Sequence, residues 1–110
     1  MTVYDTAHEL ARQLQKSREY IEYKEMKEKV YQDPGMKDKI EEFEKIRYEA
    51  QVLAIQGEKQ DEEKMAKLEE LYNILLNNKD IKLFFDTEVR FNVLLADVNK
   101  IIGDAVKDVL

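Results

Sequence analysis

Residues 80–107, which read DIKLFFDTEVRFNVLLADVNKIIGDAVK, decide the fold class. Their apolar side chains recur every three or four residues, which places them along one face of an α-helix. The stripe consists of Phe84, Phe91, Leu95, Val98, Ile102 and Ala105 and continues to Val109, with Glu88 interrupting it. Such a helix spans roughly 40 Å, whereas a compact domain of this length has a radius of gyration of about 13 Å. We therefore expect it to overhang its own domain or to pack against a second chain, and its near-heptad spacing favours the second chain.

Four shorter stretches before residue 80 carry the same period, and none alternates with the period of two that is typical of a strand. Their stripes are Val3, Ala7, Leu10 and Leu14; Tyr20, Tyr23, Met26 and Val30; Met36, Ile40, Phe43, Ile46, Ala50 and Leu53; and Met65, Leu68, Tyr72 and Leu75. The sequence therefore predicts an all-α fold, an elongated helical bundle of about five helices with a long C-terminal helix. We expect one domain over residues 1–110 and a dimer.

The helix boundaries are predicted from local chemistry. The expected N-caps are Thr2 with Asp5, Ser17, and Asp33 followed by Pro34. The last helix should begin near Asn78 or Asp80. The third helix should stop near Gly57, residues 57–61 should form a polar loop, and Asp61 with Glu62 and Glu63 should begin the fourth helix. Because a glycine disfavours a helix interior, the tail beyond Gly103 is expected to fray.

Composition limits the possible functions. The chain has 110 residues, with 24 acidic and 18 basic side chains and a formal charge of −6. It has no cysteine, which excludes disulfides and metal sites built on its own thiolates. It also has no long apolar run of the kind that spans a membrane or begins a secretory signal, so we expect a cytoplasmic protein. The negative charge weighs against direct nucleic-acid binding, because such binding depends on neutralising phosphates.

A weak internal repeat relates the start of the chain to its second half. Leu10, Leu14, Ser17, Tyr20 and Tyr23 align with Leu71, Leu75, Asn78, Ile81 and Phe84. Each copy is a short amphipathic helix, a polar capping residue and a second helix that opens with large apolar side chains. Both a true duplication and shared helical-hairpin geometry explain this pattern.

Candidate catalytic and metal-binding residues are few. His8, the single histidine, stands with Asp5 and Glu9 at helical spacing that could bind a metal, although a di-iron bundle needs two Glu-x-x-His pairs. Ser17, the single serine, is better explained as a cap than as a nucleophile. We therefore expect no enzyme, no catalytic residue and no cofactor. A small-ligand or metal carrier that uses His8, Asp5 and Glu9 remains an alternative.

The apolar stripes nominate a set of interface residues. We expect self-association or partner binding through the last helix, at Phe84, Phe91, Leu95, Val98 and Ile102. Met36, Ile40, Phe43 and Tyr23 are the expected complement, either within the protomer or across the dimer.

Two charged residues lie within the predicted seams. Glu88 interrupts the last stripe, and Arg47 follows Phe43 by four residues. We predict that Arg47 and Glu88 pair across a helix–helix contact and fix its register, because a lone charge in an apolar seam would be costly. Alternatively, both lie at the edge of their stripes and reach water. A double-mutant cycle on Arg47→Met and Glu88→Leu separates the two cases, since additive effects would exclude pairing.

Several motifs along the chain resemble a known family. They are Tyr4-Asp5-x-Ala7-x-x-Leu10; Ser17-x-x-Tyr20-x-x-Tyr23-Lys24; Asn78-x-x-Ile81-x-x-Phe84-Phe85-x-x-Glu88-x-Arg90-Phe91; and Leu94-Leu95-x-Asp97-Val98-x-Lys100-Ile101-Ile102. Phe43, Arg47, Gln51 and Gln56-Gly57 fit the middle of the pattern. Together they resemble the YlbF/YmcA-like family of small helical bacterial proteins, most closely its uncharacterised YheA-type branch. The resemblance covers nearly the whole chain, and its motifs are mostly helix-packing positions.

The resemblance implies a cytoplasmic, all-helical, dimeric protein without catalytic residues. The better-studied relatives are regulatory partners in a complex that controls competence, biofilm formation and sporulation and is linked to RNA turnover by RNase Y. Some share iron–sulfur clusters through cysteines, a property that does not transfer to a chain without cysteine. The resemblance thus favours a regulatory protein that binds itself or another regulatory protein, with an accessory role in RNA turnover as a further alternative.

Overall fold

The computed structural model describes residues 2–57 and 62–110, and this part of the chain forms five α-helices and no strand. The helices are α1 (Val3–Lys16), α2 (Arg18–Tyr31), α3 (Pro34–Ile55), α4 (Glu62–Leu76) and α5 (Lys79–Val106). The predicted all-α class and the long last helix are confirmed. No helix within these residues combines the length and apolar character needed to cross a membrane.

The first two helices begin as their capping residues predict. The hydroxyl of Thr2 accepts a hydrogen bond from the backbone N–H of Asp5, and the Asp5 carboxylate accepts one from the backbone N–H of Thr2. This reciprocal pair is a capping box. The hydroxyl of Ser17 accepts from the backbone N–H of Tyr20 at 3.2 Å and donates to the carbonyl of Leu14 at 2.6 Å. A single serine therefore ends α1 and starts α2.

Helix α3 also begins and ends at the predicted residues. The Asp33 carboxylate accepts from the backbone N–H groups of Gly35 and Met36, and Pro34 occupies the first helical position. Gly57 follows the C-cap with a φ of 73°, a left-handed conformation that glycine adopts without strain. The rest of the predicted 57–61 loop, including Asp61, lies outside the described residues.

Helix α5 begins at an asparagine cap and continues through its glycine. The side-chain carbonyl of Asn78 accepts from the backbone N–H groups of Asp80 and Ile81, at 2.9 and 3.1 Å. The helix runs for 28 residues to Val106, one residue short of the predicted end, and measures roughly 42 Å at the standard rise. It stays helical for three residues beyond Gly103, and the backbone N–H groups of Val109 and Leu110 still bond to the carbonyl of Val106. The predicted fraying beyond Gly103 is therefore not seen in the structure.

The chain divides into two compact units. The first comprises residues 2–27 and 84–110, and the second comprises residues 28–57 and 62–83. The prediction of one domain over residues 1–110 therefore stays a prediction.

The second unit contains a filled core. Helices α3 and α4 pack closely against each other, and Phe43 of α3 stacks on Tyr72 of α4 with ring centroids 5.7 Å apart. The buried apolar residues of this unit are Val30, Ile40, Phe43, Ala50, Leu71, Leu75 and Ile81. Burial of two facing stripes explains how these two helices form a stable layer.

The first unit is organised differently. Phe84, Phe85 and Thr87, near its start in α5, are buried, but α1 has no buried residue. The apolar stripe of α1 is therefore present, as the periodicity predicts, but none of its residues is fully buried and only Leu10 and Leu14 are half-buried.

Candidate interaction surface

Aromatic rings fix α2 against α5 within the first unit. Tyr23 packs between Phe84 and Phe91, with ring centroids 5.7 Å apart in both pairs. Tyr20 meets Phe91 edge to face at 5.8 Å. The Tyr23 hydroxyl donates to the Glu88 carboxylate at 3.3 Å, so its polar end is satisfied where its ring is packed. These contacts hold Phe91 of α5 against α2, and the residues of α5 after Phe91 form the surface described below.

A charged cluster ties the same two helices together at the surface. The Glu22 carboxylate accepts from Arg18 of its own helix at 2.7 Å and from Arg90 of α5 at 3.2 Å. The hydrogen bond from Arg18 holds the pKa of Glu22 below its ordinary value, and the charges of Arg18 and Arg90 act in the same direction. Because the folded pKa is the lower one, this stabilisation is present at neutral pH and is lost as the pH falls below the ordinary value of 4.5.

Beyond these contacts, α1 and the end of α5 form the walls of an open apolar groove of about 730 Å³. Its lining residues are Thr2, Val3, Thr6, Ala7, Glu9, Leu10 and Gln13 of the α1 segment and Ile102 of α5. Glu9, the one charged lining residue, pairs with Arg12 at 2.8 Å. The groove is thus an apolar surface with an almost neutral rim.

The C-terminal half of α5 extends this apolar surface. Ile102 is 51% exposed, Ile101 is 70% exposed and Leu95 is 36% exposed. Phe91 and Val98 are half-buried. A helix with this much apolar surface is normally covered by another element. We use the term open face for two apolar stripes taken together. One is the stripe of α1, and the other is the part of the α5 stripe after residue 90. The residues are Val3, Ala7, Leu10 and Leu14 of α1 and Phe91, Leu95, Val98, Ile102 and Ala105 of α5.

The structure separates the residues nominated from the sequence into three groups. Phe84 and Ile40 are fully buried, and Phe43 is 5% exposed, so these three lie in the core of the single chain. Met36 and Tyr23 are half-buried, and the sulfur of Met36 lies 3.8 Å from the side-chain nitrogen of Asn78. The other nominated residues, Phe91, Leu95, Val98 and Ile102, lie on the open face.

The nominated charged pair stays a prediction. Glu88 belongs to the first unit, where it accepts from Tyr23. Arg47 belongs to the second unit, where its guanidinium lies 5.3 Å from the centre of the Phe43 ring, a cation–π arrangement.

The candidate metal ligands do not assemble into a site. Across residues 2–57 and 62–110 there is no group of three or more histidine, aspartate or glutamate side chains that could hold a metal ion. Asp5 is used in the capping box, and Glu9 is paired with Arg12. The alternative of a metal carrier therefore loses the ligand set on which it depended.

The α1 side of the open face was not among the residues nominated from the sequence. Val3, Ala7, Leu10 and Leu14 form a helical stripe, but the same spacing occurs in helices whose stripes are buried. The sequence does contain one sign that this stripe differs from the others. It has no large aromatic residue, whereas the stripes of α2, α3 and α5 each have at least one.

Comparisons with known proteins agree on the family and the fold. The family described as "Control of competence regulator ComK, YlbF/YmcA" matches residues 3–107. A UPF0342 protein of Symbiobacterium thermophilum is 40% identical over 104 residues, with 94% of this chain and 93% of that protein covered. A UPF0342 protein of Halothermothrix orenii is 36% identical over 102 residues, with 93% and 86% covered.

Two solved structures have a similar fold. A "Protein of Unknown Function (DUF964)" from Bacillus stearothermophilus matches with a TM-score of 0.80 at 13% identity, covering 96% of this chain and 93% of that one. A chain in the crystal structure of Bacillus subtilis RicA in complex with RicF matches with a TM-score of 0.62 at 22% identity, covering 96% of this chain and 94% of that one.

Proposed function

Because the chain belongs to the YlbF/YmcA family, we propose that it is a non-enzymatic interaction module that acts as a helical homodimer in the cytoplasm. The observation that carries the proposal is the open face, where apolar side chains of α5 after residue 90 are left exposed in a single chain. Contiguous exposed apolar surface is typical of sites that bind another protein.

The chemistry of the surface supports binding rather than catalysis. The groove is open and apolar, and its lining offers one carboxylate that is already paired with an arginine. General acid–base catalysis needs titratable groups that converge on a substrate. Protein association needs an apolar centre with a polar rim, which is the arrangement of this groove.

A structural neighbour supports the same class of function. The chain with a similar fold in the RicA structure belongs to a complex of two proteins, RicA and RicF. By analogy, we propose that the homodimer contacts a further regulatory protein.

The decisive experiment is the solution mass, measured by size-exclusion chromatography with light scattering over a dilution series. We expect the mass of two chains, each of 13.1 kDa. The variant Leu95→Glu should reduce it to that of one chain, because a two-fold interface would bury the new carboxylate twice. Ala96→Glu is the matched control, since it places the same charge at the neighbouring exposed position outside the apolar stripe.

Each result bears on the proposal. A wild-type mass equal to that of a single chain at every concentration would contradict the homodimer. A dimeric mass that Leu95→Glu leaves intact would contradict the α5 stripe as its seam.

A further inference from the structure

The second unit carries its own apolar groove, formed where α3 packs against α4. This groove has a volume of about 450 Å³. Its lining residues are Phe43 of α3 and Met65, Ala66, Leu68, Glu69 and Tyr72 of α4. All of them belong to the second unit, whereas the open face belongs to the first. We call this surface the α3–α4 groove, and it is separate from the surface proposed for the homodimer.

The centre of the α3–α4 groove is apolar and held in place. Tyr72 stacks on Phe43 with ring centroids 5.7 Å apart, and the guanidinium of Arg47 lies 5.3 Å from the centre of the Phe43 ring. Tyr72 and Met65 are each 42% exposed. Aromatic residues, methionine and arginine are enriched at protein interfaces, and a side chain that is already packed loses little freedom when a partner binds.

The α4 side of the groove is acidic. Glu69 lines the groove, and Glu62, seven residues earlier, lies on the same side of the helix. Among the described residues, neither carboxylate has an ion-pair or hydrogen-bond partner. The lysines of α4 lie elsewhere, because Lys67 is two residues from Glu69 and Lys64 pairs with Glu49 of α3 at 3.2 Å.

This charge indicates which kind of partner fits the groove. Two carboxylates outweigh the guanidinium of Arg47, and residues 28–83 as a whole contain 14 acidic and 10 basic side chains. A second copy of the same surface would bring like charges together around a two-fold axis. A partner with basic side chains beside an apolar face would instead be attracted. An apolar groove between two helices is a shape that receives a third, amphipathic helix.

We infer that the α3–α4 groove binds a basic amphipathic helix of another protein. The apolar side chains of that helix contact Met65 and Tyr72, and a lysine or arginine beside them pairs with Glu69. The inference rests on the part of the proposed function that concerns a further protein, and it does not depend on the homodimer. It assigns self-association and partner binding to different units of the chain.

The test uses a synthetic peptide as the probe. The peptide has roughly 18 residues, enough to form a helix on binding, with leucines and one tryptophan on one face and lysines and arginines on the other. The protein has no tryptophan, so the emission reports on the peptide alone. We expect a blue shift when the wild-type protein is added at physiological salt. A control peptide with glutamate at every basic position should bind at least about tenfold more weakly, because the groove repels it.

One pair of variants tests whether the apolar centre of the groove is the binding site. Met65→Glu should raise the dissociation constant of the basic peptide at least about tenfold, because the complex would bury an unpaired carboxylate. Ile74→Glu is the matched control, since Ile74 is 45% exposed on the same helix and does not line the groove. Both variants add one negative charge, which by itself favours a basic peptide. Ile74→Glu should therefore bind at least as well as the wild type.

A second pair of variants tests the acidic side. Glu69→Lys should raise the dissociation constant at least about fivefold, because it replaces an attraction by a repulsion. Glu25→Lys changes the net charge equally at an exposed position of α2 and should change the dissociation constant less than about twofold. Circular dichroism of all four variants reports whether the helices are retained.

The outcomes separate this inference from the proposed homodimer. No emission shift with the wild type, or equal binding by Met65→Glu and Ile74→Glu, would overturn the groove as the binding site. Loss of binding in Leu95→Glu but not in Met65→Glu would assign the peptide to the open face and would overturn it too. A monomeric wild type that binds the peptide as predicted would contradict the homodimer alone.

Discussion

At the scale of a single residue, Phe84 is the most deeply buried side chain among the described residues of the first unit. It is fully buried and lies 5.7 Å, centroid to centroid, from the rings of both Tyr23 and Phe85. We expect Phe84→Ala to lower the free energy of unfolding by about 3–5 kcal/mol, since it removes a large buried ring and leaves a cavity. Urea denaturation, monitored by circular dichroism in protein dilute enough to be monomeric, measures this loss.

The matched variant is Ile102→Ala, on the same helix. Ile102 is 51% exposed in the single chain, so its truncation should cost the monomer about 1 kcal/mol or less. The same substitution should weaken the dimer, because the open face is proposed to be buried there. Equal losses for both variants in dilute protein would contradict the division between core and open face.

Residue-level contacts differ in how far the sequence could predict them. The pair of Arg18 and Glu22 is separated by four residues and follows from helical spacing. The bond from Arg90 to the same carboxylate joins residues 68 positions apart. It depends on how α2 and α5 pack, and periodicity does not determine which turn of one helix meets which turn of another.

At the scale of a helix, the cap of α5 is a specific target. The side-chain carbonyl of Asn78 accepts from the backbone N–H groups of Asp80 and Ile81. Asn78→Ala should therefore lower the free energy of unfolding by about 0.5–2 kcal/mol, the usual cost of losing an N-cap. Urea denaturation measures the effect. The control is Asn77→Ala, an exposed asparagine one residue outside the cap, and an equal loss there would contradict the capping role.

The helices also show why the sequence predicted elements better than surfaces. Caps act on backbone groups two or three residues away, so Thr2, Asp33 and Asn78 could be read directly from the chain. Burial could not be predicted in this way. Leu14 and Leu75 stand at equivalent positions of the repeat, but only Leu75 is buried. Helix α4 packs closely against α3, and the sequence spacing within α4 does not reveal a contact of that kind.

At the scale of the whole molecule, charge limits the partners that the protein can bind. Carboxylates outnumber basic side chains 24 to 18, and basic side chains in both units are engaged by nearby acids. Examples are Arg12 with Glu9, Lys29 with Asp80, Lys64 with Glu49, and Arg18 and Arg90 with Glu22. Such pairs add little stability at a surface, but they reduce the positive potential available to a polyanion.

This distribution makes a prediction about RNA, the partner that an accessory role in RNA turnover would require. We expect single-stranded RNA to bind with a dissociation constant no tighter than about 10⁻⁴ M at physiological salt, the weak end of non-specific binding. Fluorescence anisotropy of a labelled oligonucleotide measures it, and repeating the titration at low salt is the control. Any residual binding should appear there and fall steeply as salt is added, because it arises from released counterions. Micromolar binding that persists at physiological salt with a shallow salt dependence would instead require a non-electrostatic RNA site, and it would make RNA rather than protein the first partner to pursue.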